Sequence, residues 1–242
     1  AGLSQIWSPG ITVYGGIDDY ARRGVPVMSA VEIGALERRT SQRHGTGDSY
    51  DASYWEPMTR SGTVNPPITR LFEGDVLTVG GYKLRVLQTP GHDLHHLCLY
   101  DAENELLVGG DQVLCTGYPP IMVETEIDQL SLLLEQIERL GKLSASLILT
   151  GHGKEGSDLS VRCDQVIDHF RRQTDSFLTL CQSGELDLGE LSYRSTLGDR
   201  RTPWESRSIF GRRSLITQTM AFTKYFMAKG VLPKAYDIIP LR

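Results

Sequence analysis

Three short segments of this chain place an imidazole or a carboxylate where the backbone must turn sharply. The first is Thr89-Pro90-Gly91-His92-Asp93-Leu94-His95-His96, in which a β-rich run stops at a Pro-Gly turn that points an imidazole off the strand end. The second is Gly109-Gly110-Asp111, a carboxylate behind two glycines whose missing side chains clear space for close approach to a cation. The third is Thr150-Gly151-His152-Gly153, again one imidazole framed by glycines after a strand. Two histidines and a carboxylate are a competent metal triad, because imidazole nitrogen and carboxylate oxygen both ligate zinc. His92 alone reads as a hydrogen-bonded structural histidine, and only Asp111 and His152 make it a candidate ligand.

Such a triad needs three strand ends at one sheet edge, and the sequence pattern supplies them. Val76 to Val79, Gly80-Gly81 and Tyr82 to Leu87 form a hairpin, since paired glycines suit a two-residue turn. Leu97 to Tyr100 and Leu106 to Val108 are further strands, separated by a polar turn over Asp101 to Glu105. Thr125 with Asp128 resembles a capping box. The helix that follows carries Ile127, Leu130, Leu134, Ile137 and Leu140 on one face and stops at Gly141. Leu147 to Thr150 is the next strand. A long helix from about Leu159 to Gln182 buries Val166, Ile167, Phe170, Phe177, Leu178 and Cys181. A short helix around Leu186 to Tyr193 and another from about Ser214 to Lys229, ended by Gly230, complete the chain.

Upstream, Leu3 to Trp7 and Val25 to Met28 read as strands, and Ile17 to Arg23 and Ala30 to Arg39 as helices. Thr40 to Pro66 is an aperiodic run that reads as a lid, where Tyr50, Tyr54 and Trp55 either cap an apolar acyl group or pin the loop to the domain. The domain boundary falls at 158, giving a first domain over 1–158 and a helical one over 159–242.

At 242 residues, 40% hydrophobic and 23% charged, the chain has enough apolar surface for a packed core. Its 30 acidic against 25 basic residues, a net charge of -5, provide no general attraction to nucleic acid or anionic membrane. Arg194, Arg200, Arg201, Arg207, Arg212 and Arg213, interleaved with Trp204 and Phe210, read as a solvated loop. His169, beside Arg171 and Arg172, reads as a solvated helix residue, and His44 and His95 as loop residues. Four cysteines without CxxC spacing imply reduced thiols and a cytoplasmic protein, with no apolar run long enough to span a bilayer.

TPGH, a GGD about twenty residues on, and LTGHG after an intervening helix resemble, in order and context, consecutive signatures of the metallo-β-lactamase superfamily, including its glyoxalase II-like hydrolases. The resemblance implies an α/β fold, an αββα sandwich holding one or two metals, commonly zinc. Such a site hydrolyses ester or thioester bonds of a small molecule through a metal-activated hydroxide, with no catalytic group beyond the metal-bound water. It makes His92 a first-site ligand, Asp111 the bridging carboxylate and His152 a second-site ligand, and sets His96 beside the substrate. The tail resembles the winged-helix-like appendage of many members, through its final helix, Gly230 and a strand-like Val231 to Leu241.

The departure lies upstream. Where the family has H-x-H-x-D-H before Gly-Gly, this chain, aligned on Gly15-Gly16, has Ser8, Gly10, Thr12 and Val13 at the four ligand positions. The family's earlier strands are reduced to Leu3 to Trp7, which implies an N-terminally incomplete sandwich with an exposed sheet edge. Two other functions fit the same residues: a non-catalytic binding module descended from the hydrolase, and a mononuclear metal enzyme using His92, Asp111 and His152. In every case the triad should converge to within about 3 to 6 Å, and Ser8, Gly10, Thr12 and Val13 should line the same pocket. Without a cation, Asp111 should take hydrogen bonds from backbone amides or from the two histidines.

Overall fold

The structure is a computed structural model that describes residues 12–15, 68–121, 127–184, 187–195, 197 and 202–232. The expected elements before residue 12, those over 17–39 and the lid over 40–66 lie outside the described residues. So do Tyr50, Tyr54, Trp55, His44, Ser8 and Gly10.

Strands β1 (Val13–Gly15) and β2 (Ile68–Arg70) pair in parallel as a small sheet of their own. The main sheet contains β3 (Val76–Val79), β4 (Tyr82–Gln88), β5 (Leu97–Asp101), β6 (Leu106–Gly110) and β7 (Leu147–Thr150), in that spatial order. The first four run antiparallel, and β7 joins β6 in parallel. Gly80 and Gly81, at φ +57 and +91, form the expected hairpin, since a turn that matches strand twist needs positive φ at both central residues. Parallel pairing of β6 with β7 requires a crossover, which α1 (Gln129–Leu140) supplies.

Helix α1 begins one turn later than a Thr125 cap would place it. Asp128 is itself the N-cap, accepting from the Ser131 backbone N–H at 3.0 Å, so Ile127 precedes the helix and is exposed. Leu130, Leu133, Ile137 and Leu140 form the buried stripe, and Leu133 takes the place expected for Leu134. Gly141 follows the helix in a right-handed conformation. A Cβ there would stand 3.1 Å from Cys163 Cβ, so glycine serves the close crossing of two helices.

Three further helices follow: α2 (Leu159–Gln182), α3 (Leu188–Arg194) and α4 (Ile209–Ala228). The last starts earlier than its apolar period implied, because Ser208 caps it through Gly211 N–H at 3.1 Å. Helix α1 packs against both α2 and α4. Sheet residues Leu87, Cys98, Tyr100, Leu107 and Ile148, the α1 stripe, and Phe170, Phe177, Phe222 and Phe226 belong to one continuous apolar cluster. On the other sheet face, Val86, Leu99, Val108 and Leu149 are neighbours across four strands; Val86 is fully buried while Leu149 is 40% exposed.

Most of the strand-like run over 231–241 lies outside the described residues, and no wing is present among them. No described helix is long and apolar enough to cross a membrane, and all four cysteines are free.

Candidate metal centre

The ends of β4, β6 and β7 open at one sheet edge, and backbone hydrogen bonds tie their loops together. Gly151 N–H donates to Gly110 O at 2.8 Å, joining the third loop to the second. His92 N–H donates to Gln112 Oε1 at 3.2 Å, joining the first to the second. Within the first loop, Asp93 accepts from His96 N–H at 3.3 Å and, through its side chain, from His95 N–H at 2.7 Å. The loop sits directly on α1: Gly91 has φ +150, and a Cβ there would lie 2.5 Å from Leu133 Cα. Only glycine fits that approach.

The three predicted side chains meet. His92 Nε2 lies 3.6 Å from Asp111 Oδ2, and His152 Nε2 lies 3.5 Å from the same oxygen. His92 Nδ1 is 2.5 Å from the Pro120 carbonyl, which can only accept, so Nδ1 carries the proton and Nε2 presents a lone pair. A lone pair facing a carboxylate oxygen at that distance is not a hydrogen bond; it is an arrangement that needs a cation or a proton between its members. Metal-ligand bonds of about 2.1 Å at tetrahedral angles put ligand atoms about 3.4 Å apart, close to both separations. Asp111 Oδ1 is buried and has no partner among the described residues, contrary to the expectation that amides or histidines would satisfy the carboxylate. An orphaned anionic oxygen is costly unless a cation offsets it. The residues therefore fit a metal ion as pairs on one oxygen. They do not yet close a cage, and no set of three or more His, Cys, Asp or Glu among the described residues does so.

Glycine spacing in the motifs has a direct cause. A Cβ on Gly151 would stand 2.2 Å from Asp111 Oδ1, and one on Gly110 would stand 2.6 Å from His96 Nε2. The carboxylate and the imidazole occupy the volume that those side chains would take.

His96, expected beside the substrate, is engaged at both ring nitrogens. Its Nε2 accepts from Asp111 N–H at 3.2 Å, and Nδ1 contacts Thr89 Oγ1 at 2.8 Å. Burial first, and then the nearby His92, push its pKa down to about 4, so it stays neutral and adds no charge against a cation. His152 has a side chain 78% exposed, against 13% for His92, so the site opens to solvent on the β7 side. Of the four replaced positions, Thr12 is described and exposed; Val13 is placed in β1 only as backbone.

Sequence reasoning missed three residues here. Thr89 stands inside the TPGH run, and Gln112 follows Asp111, but nothing marks either as a partner of a histidine. Pro120 acts through its carbonyl, a group every residue has. His169, expected in solvent, stacks on Tyr118 with ring centroids 3.5 Å apart and planes 7° from parallel, and burial pushes its pKa down to about 4.

No model of a known protein family matches the chain. Over 174 residues it is 26% identical to an atrochrysone carboxyl ACP thioesterase of Aspergillus fumigatus, covering 70% of this chain and 51% of that protein. A shorter stretch of 61 residues is 38% identical to a hydroxyacylglutathione hydrolase of Rhodopseudomonas palustris, 25% of this chain and 24% of that one. Among solved structures, a metallo-β-lactamase family protein of Thermus thermophilus superposes with a TM-score of 0.71 at 23% identity, covering 96% of this chain and 70% of that chain. A β-lactamase domain protein of Burkholderia ambifaria gives 0.66 at 20% identity, covering 91% and 60%. The chain has the metallo-β-lactamase fold, and the resemblance carried by its motifs is borne out. It spans about half the length, or less, of the curated relatives it matches.

Proposed function

We propose that this chain is a metal-dependent hydrolase of small-molecule esters or thioesters, in which His92, Asp111 and His152 hold a divalent cation, with zinc the first candidate. The observation that carries the reading is the meeting of two imidazole nitrogens on Asp111 Oδ2, with Oδ1 buried and unpartnered among the described residues. Similarity to a thioesterase and to a hydroxyacylglutathione hydrolase supports the bond class. Tyr50, Tyr54 and Trp55 are the residues we assign to the acyl side of the substrate.

Bound there, a divalent cation supplies Lewis acidity, which polarises a carbonyl oxygen and acidifies water. The protein's part is positioning. Asp111 contributes the negative charge, the Pro120 carbonyl fixes the His92 tautomer, and His96 holds the Asp111 backbone through its N–H. His152, exposed, leaves a side by which substrate enters.

With the upstream ligands replaced, the purified chain should contain well under one equivalent of zinc by elemental analysis. Added zinc should bind and be lost in Asp111→Ala, and turnover across a panel of esters, thioesters and lactones should depend on the added metal. Binding indifferent to Asp111→Ala would overturn the ligand assignment, and metal-loaded protein that hydrolyses none of the panel would overturn the reaction class.

A second reading, a non-catalytic binding module, is favoured by Thr12, which stands exposed at a ligand position and offers no imidazole. A folded chain that takes up no zinc on titration would establish it. Tight stoichiometric zinc in the protein as purified would instead point to a mononuclear enzyme using the same three residues.

A further inference from the structure

The Pro120 carbonyl that fixes His92 belongs to a strap, residues 112–121, that leaves the centre after Asp111 and runs back towards α2. Among the described residues, no backbone–backbone hydrogen bond holds 114–121. Gly117, at φ +76, and the pair Pro119-Pro120, which has no N–H to donate, leave it little means of organising itself. Apolar anchors sit at its ends, Val113 and Leu114 on one side and Ile121 on the other. Its middle is held from α2, where the Arg162 side chain makes the hydrogen bonds. Arg162 Nε donates to Leu114 O at 2.7 Å, and its Nη2 donates to Gly117 O. Nη1 donates to Gln165 Oε1 at 3.0 Å, steadying the guanidinium from its own helix. The same guanidinium lies 5.0 Å from the centre of the Tyr118 ring, and Tyr118 stacks on His169, about two turns further along the helix.

We propose that Arg162 is a positioning residue for the metal centre: by bridging the Leu114 and Gly117 carbonyls it sets the course of the strap, and so presents the Pro120 carbonyl to His92 Nδ1. A planar fork can span two carbonyls in a fixed relation, whereas an ammonium is a point donor that imposes none. The chain of contacts is continuous, from α2 through the strap to the imidazole that faces Asp111. The consequence for metal binding rests on the reading of His92 as a ligand; the consequence for the tautomer does not. Loss of a group that orients a ligand histidine costs about tenfold to a hundredfold in metal affinity.

The test uses the full chain, metal-free and labelled with 15N-histidine, at a pH where imidazoles are neutral. Long-range 15N–1H correlation reads which ring nitrogen of His92 carries the proton, with His92→Gln identifying its signals. Wild type should show the Nδ1–H form. Arg162→Lys should shift His92 towards the Nε2–H form and weaken zinc binding about tenfold or more, while its thermal unfolding stays near that of wild type. Arg171→Lys, on the same helix but ion-paired with Asp168 at 3.6 Å, should change neither. Should Arg162→Lys fail to fold, Arg162→Gln carries the same test, since an amide reaches one carbonyl and not both. An unchanged His92 tautomer in a folded Arg162 variant would overturn the proposal. A tautomer shift in a protein whose wild type binds no zinc would support it and sink the metal reading instead.

Discussion

A single methyl group distinguishes two kinds of glycine around this site. On Gly151 it would meet Asp111 Oδ1 at 2.2 Å and the Gly110 carbonyl carbon at 3.2 Å, so the severe overlap is with a carboxylate that can swing away. Gly151→Ala should therefore fold with stability within about 0.5 kcal/mol of wild type, as exposed substitutions do, but lose zinc affinity by about tenfold or more, because Asp111 leaves the two imidazoles. On Gly91 the methyl would meet Leu133 Cα at 2.5 Å, and backbone cannot swing. Gly91→Ala should cost about 1–3 kcal/mol in urea unfolding, since overpacking against α1 adds to the strain of φ +150. The pair separates metal chemistry from fold. A Gly151→Ala protein that kept full zinc affinity would show that Asp111 is not a ligand.

Between the elements, the contact of the strap with α2 makes a titratable joint. Stacking on Tyr118 buries His169, and burial pushes its pKa down to about 4 from an unfolded value of about 6.5. The unfolded chain takes the proton first, so stability is full above pH 6.5 and is lost as pH falls towards 4. His96 contributes in the same window with the same sign, burial pushing it also down to about 4. His169→Gln should flatten part of this decline when urea midpoints are compared between pH 7 and pH 4.5; a slope unchanged from wild type would show that the stack does not control it. That joint was hidden in the sequence, where His169 beside Arg171 and Arg172 looks solvated. The elements themselves were more legible. Gly80-Gly81 could only be a hairpin, and the α2 period matched Leu159–Gln182 because a long apolar stripe averages out local noise. Helix ends were less legible, since Thr125 and Asp128 are both capping residue types and the helix is capped by Asp128 through Ser131 N–H. The triad was legible because glycines mark where a charged group needs room. The Pro120 carbonyl was not, because backbone groups leave no mark in residue type.

At the scale of the whole molecule, position 158, the expected domain boundary, is also the N-cap of α2. Asp158 starts α2 by accepting from Val161 N–H at 3.1 Å, and Leu159 N–H donates to Ala145 O at 3.2 Å, so the helix is fastened to the segment that leads into β7. From there the core runs on without a break. Leu130, Leu133, Ile137 and Leu140 of α1 share one cluster with Leu159, Cys163, Val166 and Phe170 of α2 and with Phe222 of α4. All the hydrophobic residues on that α1 stripe are fully buried. Cutting after Asp158 would uncover one side of the stripe and remove Arg162 from the strap, so the 1–158 piece should lose cooperative unfolding, bind a hydrophobic dye and associate. Phe222→Ala in the full chain tests the same coupling without truncation. Removing a fully buried ring should cost about 3–5 kcal/mol, a large share of the 5–15 kcal/mol typical of a whole domain. If the core is one unit, that loss should lower the unfolding midpoint of the half that carries His92, Asp111 and His152 as much as that of the helices, measured by loss of added zinc and by helical circular dichroism. Two separated transitions, with zinc binding surviving the melting of α4, would divide the molecule at 158. Coincident curves would mean that the helices following the third loop are part of what holds the centre in shape.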